Sequence, residues 1–406
     1  MSIQWKNHLS WGALALASAV LVACGGGDPV GPKVAISRVM VAGDSLADAG
    51  TFGFKFTVQN AADPKGYPIW PQLVENVFGL DGSAQCNYYN SATAGETYEP
   101  NSTSCLNYAV GGGRVIVGIA DTKTSGVNPE DDPKSVIHQL KTLAANQTYT
   151  AGDLLLIDGG GNDLADLATF VLTAQQAGLA AQADPTDAAK VTAAAVTAAN
   201  LVAFLEQQLP TGRLQQLQVT TGANAPALAG GEYTTKLAET FYAAIQAEAL
   251  DKGAKHVAIL NAPDITLTPL FKAQLDGIRQ FMGDAAALQV QGMIQNWAQQ
   301  FNQKLADLAA GESRVALVDF YADFADQGAN PGDYMLTNAT EAACPNGFGT
   351  LQAIQACSDL ALNMAPNKTA GWWETYAFSD GFHPTPYGHQ LLAASVNRAL
   401  ARAGWL

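Results

Sequence analysis

The chain has 406 residues, 48% of them hydrophobic and only 14% charged, with a formal net charge of −15. A chain this long can bury a sizeable core, and no internal shift in composition divides it into separate domains. The acidic balance excludes a nucleic-acid footprint, because phosphate backbones would be repelled, and it excludes docking on anionic lipid by charge.

The N-terminus supplies another route to a membrane. Residues 1–23 carry a short polar start with Lys6, an apolar run from Trp11 to Ala23 and small residues before Cys24, the pattern of a secretory signal. The run falls well short of the ~20 residues that cross a bilayer as a helix. Leu21, Val22, Ala23 and Cys24 resemble a bacterial lipobox, which implies an acylated Cys24 as the mature N-terminus and membrane attachment through lipid. Gly25 in place of Asp, by resemblance to Gram-negative lipoproteins, implies an exported lipoprotein of the outer membrane or cell surface. The alternative is an ordinary signal with an incidental Cys24. Residues 24–33, with GGGDPVGP, read as a lipidated Cys and flexible tether, and the folded body spans 34–406.

In chain order, short aliphatic runs at Val34 to Val41, Leu154 to Ile157, His256 to Leu260 and Val315 to Val318 read as buried strands. Helical periodicity marks Pro133 to Ala145, Thr186 to Leu209, Thr234 to Leu250, Ala285 to Leu308 and Pro386 to Ala403. Strands alternating with helices imply a parallel sheet covered on both faces. The Ala- and Gln-rich stretch 172–231 reads as a helical insertion, either solvated on one face or serving as a lid or side wall of a substrate cleft.

The first strand runs into GDSLADAG at 43–50, which displays Ser45 where α/β sheets place their ligands. A serine hydroxyl needs a base and a stabilised oxyanion before it is a useful nucleophile. Two glycine-rich blocks follow, NYAVGGG at 107–113 and GGND at 160–163, and DGFH at 380–383 carries Asp380 and His383 three residues apart. Ser45 is not in a GxSxG elbow, and neither glycine block fits GxGxxG or GxxxxGK. His389, His138 and His256 fall inside predicted helices or a strand and His8 leaves with the signal, so His383 is the candidate base. Beyond Cys24 the cysteines number four, Cys86, Cys105, Cys344 and Cys357, an even set suited to an exported protein. Three connectivities are open. Local pairing, Cys86 with Cys105 and Cys344 with Cys357, fits two loop-like regions, and a metal site is the competing reading although no CxxC or paired-His spacing accompanies them.

The four blocks together resemble the GDSL/SGNH hydrolases, and GYPIWPQLVE, NAPDITLTP, FNQKL and YAFSDGFHPT resemble its secreted bacterial branch of phospholipase- and haemolysin-like esterases. The resemblance implies a three-layer α/β/α, flavodoxin-like parallel sheet with a helical insertion. It implies Ser45, Asp380 and His383 as catalytic residues, and the backbone N–H groups of Ser45 and Gly112 with the Asn162 side chain as the oxyanion hole, Gly111 being the alternative if the loop register shifts by one. GGGR stands where many members read GGAR. The expected activity is serine-dependent hydrolysis of carboxylic esters, as an esterase or lipase, phospholipase included, through an acyl-Ser45 intermediate with no metal or other cofactor. An acyltransferase using the same acyl-enzyme and a non-catalytic surface-binding lipoprotein are the alternatives. Trp372 and Trp373 fit either core packing or an acyl cleft.

Overall fold

The computed structural model describes residues 34–82, 84–91, 97–117, 131–344 and 350–406. The signal at 1–23, Cys24 and the tether up to residue 33 lie outside the described residues.

Four strands form the central sheet: β1 Arg38–Ala42, β2 Asp153–Ile157, β3 His256–Leu260 and β4 Val315–Val318, all parallel and neighbours in that order. On the free side of β1 the chain adds a further rung, with the Val41 N–H donating to Leu106 O at 2.9 Å and Tyr108 N–H to Val41 O at 2.8 Å. Side chains alternate between two cores, as strand geometry requires. Met40, Ala42, Leu155, Ile157, Val257 and Ile259 face one layer, while Val39, Val41, Leu154, Leu156, Ala258 and Leu260 face the other.

The first layer is built by α2 Val136–Asn146, α3 Gly161–Ala183, α6 Ala225–Ile245 and α8 Asp284–Ala309, which contribute Leu140, Leu164, Phe241, Trp297 and Phe301. The second comes from α1 Trp70–Val77, α9 Phe320–Ala329 and α10 Pro386–Arg402, through Trp70, Val74, Phe320, Leu392 and Val396. This is a three-layer α/β/α architecture with a parallel central sheet. α7 Pro269–Met282 lies beside α8, and β5 Asn338–Ala342 pairs with β6 Tyr376–Phe378 in a small separate ribbon.

The elements depart from the sequence reading in three places. β1 opens at Arg38 rather than Val34, where the guanidinium meets Asp153 at 2.8 Å across the first rung. α6 begins at Ala225, nine residues before the predicted Thr234, because Gly230 and Gly231 are interior helix residues rather than breakers. A Cβ at either would fall within 2.5 Å of Trp297 or Gln300, so these glycines let α6 and α8 approach closely. Within 172–231, α3 continues into α4 Ala188–Leu205 and α5 Arg213–Thr221. Alanine gives α4 its apolar character, and its large residues Leu201, Phe204 and Leu205 are buried against the main core, Phe204 between Phe170 and Tyr233 with ring centroids 4.8 Å from each.

Candidate active site

The turn after β1 sits at a topological switch point, since the chain's next rung lies on one side of β1 and β2 on the other, opening a crevice at their carboxyl ends. Gly43 is obligatory there: a Cβ would lie 1.4 Å from Asp158 Oδ1. Gln139 on α2 holds its peptide from both sides, accepting from Gly43 N–H at 2.7 Å and donating to Gly43 O at 3.0 Å. The Asp44 N–H donates to Asp158 Oδ1 at 3.1 Å, and the Asp44 carboxylate accepts from Leu46 N–H at 2.9 Å. Ser45 is thus carried on a backbone fixed from two elements.

His383 Nε2 lies 2.9 Å from Ser45 Oγ, and its Nδ1 lies 2.8 Å from Asp380 Oδ2. All three residues are buried. The other carboxylate oxygen of Asp380 accepts the N–H groups of Phe382 and His383, each at 2.7 Å, so the turn that spaces the two residues also aligns them. Ser379 closes it by donating from its N–H to His383 O at 2.8 Å. Thr385 then caps α10, its hydroxyl accepting from Gly388 N–H at 3.1 Å. Phe56 packs on the imidazole at a centroid distance of 5.0 Å.

The glycine loop reaches the same point. Asp48 accepts the Gly111 N–H at 2.7 Å, which removes Gly111 as a free donor. Gly112 follows at φ +75°, a conformation that favours glycine. Among the described residues, neither the Ser45 N–H nor the Gly112 N–H has an acceptor within the protein. Asn162 occupies the first turn of α3 beside them, its amide donating to Gly113 O at 2.9 Å. Arg114 donates to Gly112 O and pairs with Asp166 at 2.5 Å, tying the loop to α3. These residues line a cavity of about 420 Å³ that also includes Phe271, Leu351 and Phe382.

Several buried carboxyls support this corner. Burial pushes Asp163 up to about 7, although it accepts from Val115 N–H at 3.0 Å and Arg114 is near, and burial raises Asp48 to about 6. Burial, reinforced by the Asp44 carboxylate, drives Asp158 well above the ordinary range. Among the described residues no group of three His, Cys, Asp or Glu side chains is gathered to hold a metal ion.

Ser45, Asp380, His383, Gly112 and Asn162 therefore converge, whereas His389, His138 and His256 do not meet Ser45. His389 is buried in α10, with its ring accepting from Trp70 N–H at 3.4 Å. Trp373 is buried in a cluster with Val58, Cys357 and Leu362, and neither it nor Trp372 lines the cavity. Both disulfides are local, Cys86–Cys105 and Cys344–Cys357. Gln139, Asp158 and Asp166 escaped the sequence reading, and Arg114 was noted only as the last residue of GGGR, with no role; Asp158, just upstream of GGND, had a position to suggest it.

Residues 218–396 match the family model of the GDSL-like lipase/acylhydrolases, a span that contains Asp380 and His383 but not Ser45. A GDSL esterase/lipase of Arabidopsis thaliana is 29% identical over 154 residues, which cover 36% of this chain and 38% of the relative's length. Both matches support the GDSL lipase/acylhydrolase family and a hydrolase acting on esters.

Proposed function

We propose that this chain is a serine-dependent carboxylic ester hydrolase that works through an acyl-Ser45 intermediate. The carrying observation is the unbroken path from Ser45 Oγ through the His383 ring to Asp380, at 2.9 and 2.8 Å, beside two N–H groups that have no acceptor among the described residues. With its proton held on Nδ1 by Asp380, the imidazole takes the Ser45 proton at Nε2 as Oγ bonds to the ester carbonyl carbon. The carbonyl oxygen, now negative, is received by the N–H groups of Ser45 and Gly112 and the Asn162 amide, at the electropositive start of α3. Collapse breaks the bond to the alcohol, which leaves with the proton from Nε2. Water then attacks the acyl carbon, gives a proton to Nε2, and the Oγ–carbon bond breaks as Ser45 regains its hydrogen.

Delivery to a membrane through acylated Cys24 belongs to the same proposal, and its support is the LVAC sequence. An N-terminal peptide that begins at Cys24 and carries lipid mass is the expected result, and an unmodified terminus elsewhere would overturn it. For the chemistry, a fluorophosphonate should label the wild type and neither Ser45→Ala nor His383→Ala, and both variants should lose ester hydrolysis while keeping wild-type circular dichroism. Wild-type turnover by folded Ser45→Ala would refute the assignment.

A further inference from the structure

The cavity at Ser45 does not end with the catalytic residues. Thr169 and Gln274 belong both to its wall and to that of a second cavity of about 630 Å³, which shares Leu172, Gln176, Leu179 and Met282 with a third of about 730 Å³. The three join into one trough walled by α3 along its length and by α7 on the facing side, with α8 and the start of α6 joining at its far end. On α3 its wall recurs at every third or fourth residue from Asn162 through Thr169 to Leu179, and on α7 from Leu270 through Gln274 to Met282, the spacing of a single helix face. At 1.5 Å per residue the stretch from Asn162 to Leu179 is ~25 Å long. One leaflet of a bilayer contributes half of its ~30 Å hydrocarbon core, so the trough exceeds the length of a membrane acyl chain.

The lining is uncharged. Beyond Arg114 and Asp166 beside Ser45, both outer cavities are walled by aliphatic side chains, methionine, Phe281, threonine hydroxyls and Asn and Gln amides, without one Lys, Arg, Asp or Glu. Apolar residues remain in water along it, with Phe281 85% and Met282 56% exposed. An anionic occupant would find no charged partner here, whereas a hydrocarbon chain would cover the exposed Phe281 and Met282 and the aliphatic wall.

We propose that the trough is an acyl-binding subsite and that the substrates are esters of long-chain fatty acids, with the segment from Leu172 onward building the far half of the groove. This rests on the ester-hydrolase reading of Ser45. The acyl chain lies along α3 and α7 while its carbonyl carbon is bonded to Oγ, and the alcohol departs from the other side. Each methylene moved from water onto an apolar wall multiplies transition-state binding by up to about three- to four-fold, so kcat/KM should climb with acyl length.

Two glycines provide the test. Gly277 on α7 lines the second cavity and Gly178 on α3 the third, and a Cβ at either meets nothing within 4 Å, so tryptophan there fills the trough without backbone strain. Rates are measured on p-nitrophenyl esters from acetate to palmitate, below their micellar concentrations. The wild type should favour long chains, and Gly277→Trp should lower the ratio of laurate to butyrate kcat/KM by about tenfold or more, the equivalent of a few buried methylenes. Gly178→Trp, farther out, should penalise palmitate more than laurate. Leu360→Trp, on an exposed position outside the trough, should leave the profile unchanged. A wild-type optimum at acetate or butyrate, an unaltered ratio in both glycine variants, or a gain only when the long chain is on the alcohol side would overturn the inference. Absence of all ester hydrolysis and of fluorophosphonate labelling in the wild type would instead overturn the hydrolase reading beneath it.

Discussion

Asn162 carries the sharpest consequence at the level of single residues. Its amide already donates to Gly113 O, so it is oriented before any substrate arrives, and an amide remains a donor at every pH. Asn162→Ala should lower kcat by about 10²–10³ with little change in KM, because the donor is used most when charge develops on the carbonyl oxygen. Steady-state kinetics on a soluble ester checks this, and a pure KM effect would assign Asn162 to substrate binding instead. Ser45, Asp380 and His383 were legible as residues because each sits in a short block with its own turn chemistry. The choice between Gly111 and Gly112 was not, since it depends on Asp48, 63 residues away, capturing the Gly111 N–H.

Among the elements, strands were easiest to read: β3 and β4 coincide with their aliphatic runs, because a strand buried on both faces needs an uninterrupted apolar stretch. α3 was hidden by the glycines at its start, where Gly160 at φ +94° precedes the first turn. α6 was shortened by glycines whose purpose is contact with another helix, a tertiary demand that local propensity does not register. The Cys344–Cys357 bridge belongs to this scale. Cys344 N–H donates to Ser379 O at 2.7 Å, immediately before Asp380, so the bridge braces the turn that sets the imidazole. A Cys344→Ser, Cys357→Ser double variant should lose kcat as well as heat tolerance, by about 3 kcal/mol on loop entropy alone. The Cys86→Ser, Cys105→Ser variant should lose mainly stability. Thermal melts and kinetics on the two purified proteins make the comparison, and equal kcat in both would remove the bracing role.

For the whole molecule, buried acids set the pH dependence of stability. Asp163 at about 7 and Asp48 at about 6 keep protons that the unfolded chain, with ordinary carboxyls near ~3.9, has already released. Between roughly pH 4 and 7 the folded state therefore binds more protons, and stability falls as pH rises. His389 has the opposite sign: burial lowers it to about 3, so its contribution is lost as pH falls below its ordinary ~6.5. Asp163 and Asp48, with Asp158 raised in the same direction, outweigh the one imidazole, and the melting temperature should drop from about pH 5 to pH 8, with Asp163→Asn flattening the slope. A melting temperature that climbs across that interval would contradict it. The hydrogen bond between Ser45 and His383 spans 338 positions, joining the first strand's turn to the approach of the last helix. During synthesis the nucleophile is made early and its base almost last. Until the final helix docks, His383 cannot reach Ser45, so this one contact forms only when the first and last elements of the fold have come together.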